Sequence, residues 1–396
     1  MLSRMRRMVC LDGLRGVLAC YVMLSHTFPF VPMPAWLHWL FQHGGAGVDV
    51  FFILSGLVIV RSLDSFAYRA RPFLIARVAR IYPVFLVVFA FAVAVQPLAT
   101  GYEHMAWIGP ESPARHIWSG GWPSDWRIGI VTHLTMTHGL FPDGVLPDVW
   151  VGFLGAAWSL STEWQFYLLA LLICGRLELR RTALLLLALS AAGVLWQAVA
   201  PEAWLFSRAF LPNKAQYFAL GVVSAIGVRD GRWGAYLAVF AATSALCAAQ
   251  GGVDKLLPPV VWTACLAAQV ASFPWGRRYW VSIALAAVLR SRPLVWLGAV
   301  SYCIYLVNEP VQKLLGVLLA PLVNGDAALF TALWIPGAIA LPILASWGLH
   351  EWIELPAQRH GRVMALAART SSSVASGPPA VLSPRSESAA SQAAAR

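Results

Sequence analysis

Apolar runs recur along nearly the whole chain, broken by short joints that carry arginine, glycine or proline. Ten can be marked: 9–29, 46–62, 81–100, 153–174, 183–200, 214–228, 233–250, 256–273, 294–318 and 327–349. A bilayer-spanning helix needs roughly 17–25 such residues, so the pattern predicts an all-α fold, a polytopic membrane helix bundle of about ten transmembrane helices, two of them short. The periodic part ends near residue 365. Residues 1–365 are therefore expected to form one transmembrane domain, and 366–396, rich in Ser, Ala and Pro and without aromatics, a disordered cytoplasmic tail.

Composition sharpens this reading. Hydrophobic residues make up 59% of the 396 and charged ones 12%, with a mean hydropathy of +0.66, which excludes an ordinary soluble domain. The opening MLSRMRRM resembles the basic start of a signal peptide, but Asp12 and Arg15 interrupt the apolar run that would follow. We read 9–29 as the first membrane helix, with both termini in the cytoplasm of a cell whose inner membrane holds the chain. Most of the 29 lysines and arginines then fall on cytoplasmic loops, against Arg115, Arg127, Arg208, Lys214, Lys255 and Lys313 outside and Arg15 within the membrane. That asymmetry accounts for the net charge of +11 with the lipid bilayer as partner and no nucleic acid.

The six cysteines (Cys10, Cys20, Cys174, Cys247, Cys265, Cys303) sit in or beside apolar segments with no CxxC spacing, and His38/His43 and His133/His138 are five apart. Neither pattern indicates a disulfide framework or a metal site. Two stretches expected on the outer side, 30–45 and 101–150, are rich in aromatics, with Trp107, Trp118, Trp122, Trp126 and Trp150 in the second. An interfacial belt and a wall on which sugar faces pack are both open readings. Residues 129–141 read as a short interfacial or re-entrant helix.

Among the ionisable residues in predicted membrane helices, five are the ones to explain: Asp12, Arg15, His26, Asp49 and Glu163. Each costs on the order of 2.5–3.5 kcal/mol in hydrocarbon, so each demands a reason. Arg15 and His26 are eleven residues apart, which puts them on one helix face about 16 Å apart along the axis. Asp12, one turn from Arg15, is a candidate partner for its guanidinium. Asp49 begins the second long helix at about the depth of His26, where a carboxylate can hold an imidazole in one tautomer. Glu163 falls between the two levels. These groups form a polar ladder through the bundle, or else lock helices together as buried pairs.

On the cytoplasmic side, RPFLIARVARIYP (71–83) carries Arg77 and Arg80 on one side of a helix start, suited to phosphate binding or to a generic positive-inside cluster. A ligand with phosphates at these arginines and a long arm threaded inward would present its reactive end near His26. Coenzyme A has that shape.

Five segments in order, LDGLRGVLACYVMLSH, GVDVFFILSGLVI, FLIARVARIYP, AWSLSTEWQFYLL and SYCIYLVNEPV, resemble the membrane-embedded acyltransferase-3 family over residues 9–355. The resemblance implies O-acylation: transfer of an acyl group, commonly acetyl, from acyl-CoA as co-substrate to a hydroxyl of a cell-surface polysaccharide or related glycan. It implies His26 as the catalytic histidine, Arg15 as its motif partner on the donor path, Arg77 and Arg80 as the donor-binding pair and Glu163 as the acidic residue of the fourth segment. General base or acyl carrier are both open for His26. Where the family usually has histidine, this chain has Asn308, which hydrogen-bonds but does not exchange protons near neutrality. Tyr302 and Tyr305, one turn apart on the same helix, either shape the donor channel or pack the core. The acceptor would come through the outer loops alone or with a periplasmic partner protein. Two alternatives stand beside this reading: acylation of a small cytoplasmic molecule, and transport of an anionic or acylated substrate, the latter weakened by the lack of internal repeats.

Overall fold

A peptide group in hydrocarbon finds no water to bond, so an apolar run crosses a membrane as a helix that satisfies itself. The computed structural model describes residues 8–173, 176, 178–270 and 279–374, and among these the regular structure is helical, with one isolated antiparallel pairing of Pro142 and Phe206. Every expected span contains a helix. They are α1 (Val9–Thr27), α2 (Ala35–Phe41) leading into α3 (Gly44–Ser65), and α4 (Ala70–Val95). After the small helices α5 (Ala114–Ile117) and α6 (Trp126–Leu134) come α7 (Trp158–Ile173), α8 (Leu179–Val199), α9 (Ala215–Asp230), α10 (Gly234–Ala249) and α11 (Leu257–Gln269). The chain closes with α12 (Trp280–Leu289), α13 (Arg292–Val323), α14 (Ala327–Leu349) and α15 (Leu355–Val374).

Six helical stretches are long and apolar enough to cross a membrane: Val9–Phe30, Ala35–Ser65, Ala70–Val95, Leu179–Val199, Arg292–Val323 and Ala327–Arg369. The other expected spans are shorter apolar helices packed beside them. The span expected from 153 begins at Trp158 because Gly155–Ala157 form a separate 3-10 turn. At ten residues and flanked by arginines, α12 escaped the hydrophobic pattern. The tail also differs: residues 366–374, expected to be disordered, continue α15, because Ala365 and Ala368 bury their methyl groups and α15 packs along α4. Arg369 Nη1 also donates to Ser65 O at 3.0 Å, and Arg69 Nη1 to Arg369 O at 2.7 Å. Residues 375–396 of the expected tail, and Cys174, lie outside the described residues; the other five cysteines are free thiols.

Lipid chains are as apolar as leucine, so helices in a membrane gain little from hydrophobicity alone and associate through close backbone contact at small residues. Two such contacts organise the bundle. Gly13 and Gly16 of α1 lie against backbone oxygens of Leu289 and Leu294, and Gly298 of α13 lies against the carbonyl of Asp12. On the other side Gly56 of α3 faces Gly221 of α9: a side chain at Gly56 would come within 2.5 Å of Phe218 O and 3.0 Å of the Gly221 Cα. Between these contacts runs the main core, with Leu14, Leu18, Ile53, Leu57, Phe85, Phe166 and Phe218 buried.

The segment between α4 and α7 is a folded cap rather than loose loop. Its anchor is Trp118, stacked on Phe30 (centroids 3.7 Å apart) and edge-on to Trp334 at 5.3 Å, in a second core with Met105, Ile108 and Phe330. The indole rests on Gly316 of α13. Residues 129–134 fall in the short helix α6 that the sequence suggested.

Replacing Gly221 by valine puts a branched side chain into the α3–α9 backbone contact. The variant is expected to lose about 1–3 kcal/mol, read as a lower thermal unfolding midpoint in detergent, while Gly109→Val, with open space at the Cβ position, leaves it unchanged.

Candidate functional site

The expected site residues divide between two adjoining chambers. The outer one, about 1170 Å³, lies beneath the cap and is lined by the last turn of α1 (Ser25, His26), by α2, by Trp122, Trp150 and Trp158, and by Glu309 and Lys313 of α13. The inner one, about 130 Å³, is lined by Arg15, Arg77, Arg80, Glu163, Tyr167, Tyr302 and an apolar wall including Phe51, Phe52 and Val58. Val48 and Tyr305 line both, and so form the partition.

In the outer chamber His26 Nδ1 lies 2.8 Å from Asn308 Oδ1. The amide of Asn308 has a determined orientation: its Nδ2 donates to Ile304 O at 3.0 Å and to Tyr305 O at 2.7 Å. Oδ1 is then left facing His26 and can only accept, so the hydrogen-bond network assigns the imidazole proton to Nδ1. In the neutral ring Nε2 then carries the lone pair, and His26 lines the outer chamber. The replacement at position 308 therefore still orients His26, although it exchanges no proton.

Asp49 does not join His26, as the sequence reading expected. It is 2% exposed and accepts from Lys214 Nζ at 2.7 and 3.0 Å. The correction has a simple cause. Lys214, counted on the outer side at the start of the span 214–228, is itself buried at the start of α9, over the rings of Trp158 and Tyr217, and a buried ammonium takes the nearest carboxylate. Lys313, counted on the outer side within the span 294–318, is buried on α13 and donates to Ser119 O at 2.7 Å and Gln96 O at 3.1 Å.

Glu163 stands with the arginines rather than with His26. Its Oε1 accepts from Ser55 Oγ at 2.6 Å and from Tyr167 OH one turn along α7. Arg77 Nη2 donates to Ser62 Oγ at 3.2 Å, and its guanidinium lies over the rings of Phe73 and Tyr167. Arg80 pairs with Glu354 and lies over the ring of Tyr302 at 5.6 Å, while Tyr302 OH donates to Ile81 O at 2.7 Å. Arg15 reaches the same cavity from α1. Among the described residues, Nε of Arg15 and Nε of Arg77 are buried with no hydrogen-bond partner. Tyr305 OH donates to Ala156 O at 3.0 Å and shares a hydrogen with Ser159 Oγ at 2.8 Å, so the partition hangs from α13 to the start of α7.

Sequence reasoning missed Asn308 as the partner of His26, Ser55 and Tyr167 as those of Glu163, and Glu354 as that of Arg80. An i,i+4 spacing offered a signal for Tyr167; the rest are separated by a hundred residues or more. Of the five outer tryptophans, Trp122 and Trp150 line the chamber. Trp118 is core, Trp107 donates to Phe30 O at 3.0 Å, and Trp126 packs on Trp122.

These elements match known proteins. The family model Acyl_transf_3, described as an acyltransferase domain, matches residues 8–351. The chain belongs to the acyltransferase-3 family. Acyltransferase MdmB of Streptomyces mycarofaciens is 29% identical over 387 residues, covering 90% of this chain and 93% of that protein. Protein 2 in picA locus of Rhizobium radiobacter is 33% identical over 95 residues, 22% of this chain and 45% of that one. No solved structure matches. This chain is thus a multi-pass membrane acyltransferase.

The acyltransferase carries a pH-sensitive support beneath its cap. His133 and His138 are stacked with centroids 4.2 Å apart, both buried, and His138 Nε2 donates to Ala157 O at 3.0 Å, next to the carbonyl that holds Tyr305. Burial, reinforced by the neighbouring imidazole, holds His133 well below the usual histidine range, and burial pushes His138 down to about 4. The unfolded chain protonates these rings near 6.5 and the folded one does not, so acid favours unfolding. Stability should be constant above pH 7 and fall by on the order of 3 kcal/mol through His138 as pH drops from 6.5 to about 4. His138→Asn is expected to lower the unfolding midpoint at pH 8 and to flatten that acid slope; an unchanged slope would assign it elsewhere.

Proposed function

We propose that this acyltransferase moves an acyl group, acetyl in the simplest case, from acyl-CoA to a hydroxyl of a cell-surface glycan, with both termini in the cytoplasm and the cap on the outer face of the inner membrane. The observation that carries the proposal is the hydrogen bond between His26 Nδ1 and Asn308 Oδ1. With the proton on Nδ1, Nε2 is the basic nitrogen of a histidine that lines the outer chamber.

The donor side follows from charge. Three guanidinium groups, Arg15, Arg77 and Arg80, line the inner cavity against the carboxylates of Glu163 and Glu354, so the site retains positive charge. Phosphate oxygens of coenzyme A match such donors. The pantetheine arm then passes Tyr305 and Val48, the residues shared by both chambers, to bring the thioester to His26. An acceptor hydroxyl in the outer chamber gives its proton to Nε2 as its oxygen attacks the thioester carbonyl. The C–O bond forms, the C–S bond breaks, and the imidazolium returns the proton to the departing thiolate. For the acceptor, a glycan is supported by the size of the chamber and by Trp122, Trp150 and Trp158, on which sugar faces can pack. Asp125, Asp148 and Arg208 add hydrogen-bonding groups at the same walls.

Mass spectrometry of surface glycans from cells lacking the gene should show the loss of one acyl group. Wild-type protein restores it and His26→Ala, at matched expression, does not; equal restoration by the variant removes His26 from the mechanism. Asn308→Leu, which keeps size but loses the tautomer-fixing acceptor, is expected to lower kcat about tenfold or more with little change in KM for acyl-CoA. An unchanged kcat would mean that the amide only packs.

A further inference from the structure

Between α14 and α15 the chain makes one π-helical turn, His350–Glu354. A π-turn adds a residue that an uninterrupted α-helix would not hold, and so rotates the C-terminal part of the helix by about 100°. The rotation turns Glu354 inward: its side chain is fully buried, while Trp352 in the same turn is 76% exposed. A carboxylate so deep needs donors on both oxygens, and it has them. Oε1 accepts from Arg80 Nη1 and from Gln358 Nε2 at 2.9 Å; Oε2 lies 2.7 Å from His350 Nδ1 and accepts from Cys303 Sγ at 3.2 Å.

The consequence falls on Arg80. Its guanidinium is gripped at one edge by Glu354 and covered on one face by the Tyr302 ring, which is itself fixed by the bond from its hydroxyl to Ile81 O. One end of the fork is anchored, and the rest is left toward the cavity that Arg15 and Arg77 also line. Three cations around one small cavity repel one another, and a flexible arginine would swing away from the others. We infer that Glu354, set by the π-turn, is a positioning residue of the donor site, holding Arg80 in the orientation that receives an anionic phosphate group. His350, Cys303 and Gln358 hold Glu354 in turn.

This inference rests on the reading of the inner cavity as the coenzyme A site, and one binding cycle separates the two. Coenzyme A is titrated into purified protein in lipid nanodiscs at fixed salt, for wild type, Arg80→Ala, Glu354→Gln and the double variant. Positioning predicts a Kd about tenfold weaker for E354Q, and no further weakening when E354Q is added to R80A, because Glu354 acts only through Arg80. Simple charge compensation predicts the opposite sign, since removing a carboxylate from a cationic site tightens binding of an anion. Tighter or unchanged binding by E354Q, or losses that add in the double variant, overturn the positioning role. Unchanged binding by R80A overturns the donor-site reading itself. Should E354Q not yield monodisperse protein, Glu354→Asp keeps the charge but withdraws it by one methylene. The same weakening is expected of it, with a raised KM for acyl-CoA and little change in kcat; wild-type affinity there also overturns the inference.

Discussion

Everything in the two chambers depends on how closely α1 approaches α13. A helix pair in lipid gains most from backbone contact, and Gly16 and Gly298 permit it at the inner end of the pair, with Gly13 doing the same against the end of α12. Once the axes are that close, α1 has no freedom to rotate. Its eleven-residue spacing then delivers Arg15 to the inner cavity and His26 to the outer one, and Asn308 of α13 meets His26 at 2.8 Å. The same pair is tied further out, where Gln312 donates to Thr27 Oγ1 at 2.9 Å. Chemistry and packing are therefore one constraint: a side chain at Gly298 would separate the elements whose contact sets the tautomer.

Around that pair, the other helices solve the problem of polar groups in hydrocarbon by bringing distant residues together. Asp49 with Lys214 joins α3 to the start of α9; Ser55 with Glu163 joins α3 to α7; Arg80 with Glu354 joins α4 to the π-turn. Each bond crosses between helices that are far apart in sequence, so the polar groups specify the arrangement that apolar packing alone would leave open. The cap contributes differently. It has its own aromatic core, centred on Trp118, while Trp122 and Trp150 line the outer chamber, and the carbonyls of Ala156 and Ala157 accept from Tyr305 and His138.

Fold class was legible in the sequence because hydropathy reports a solvent, and the solvent here is lipid. The pairing of Arg15 with one depth and His26 with another was legible too, since both lie on one helix and only 3.6-residue geometry is needed. Partners were not. Hydropathy treats Lys214 as a loop cation and Asp49 as a helix start, and nothing local to either residue reveals that they meet across 165 positions. The helical stretch at 366–374 was hidden for a related reason: its composition is that of a disordered segment, and only the groove beside α4 makes burying Ala368 favourable. α12 was hidden by length.

Burial alone does not distinguish a working charge from a structural one, and the contrast between Asp49 and the inner arginines shows what does. Asp49 and Lys214 use each other fully and line neither chamber, so their charges serve to hold α3 to α9. Arg15 and Arg77 keep a buried Nε without a partner at the wall of a cavity, a state that costs about 1–3 kcal/mol per orphaned donor. A bundle able to pair Asp49 so completely had the means to pair these as well. Satisfaction, rather than depth in the membrane, is the property that separates the two classes of charge here.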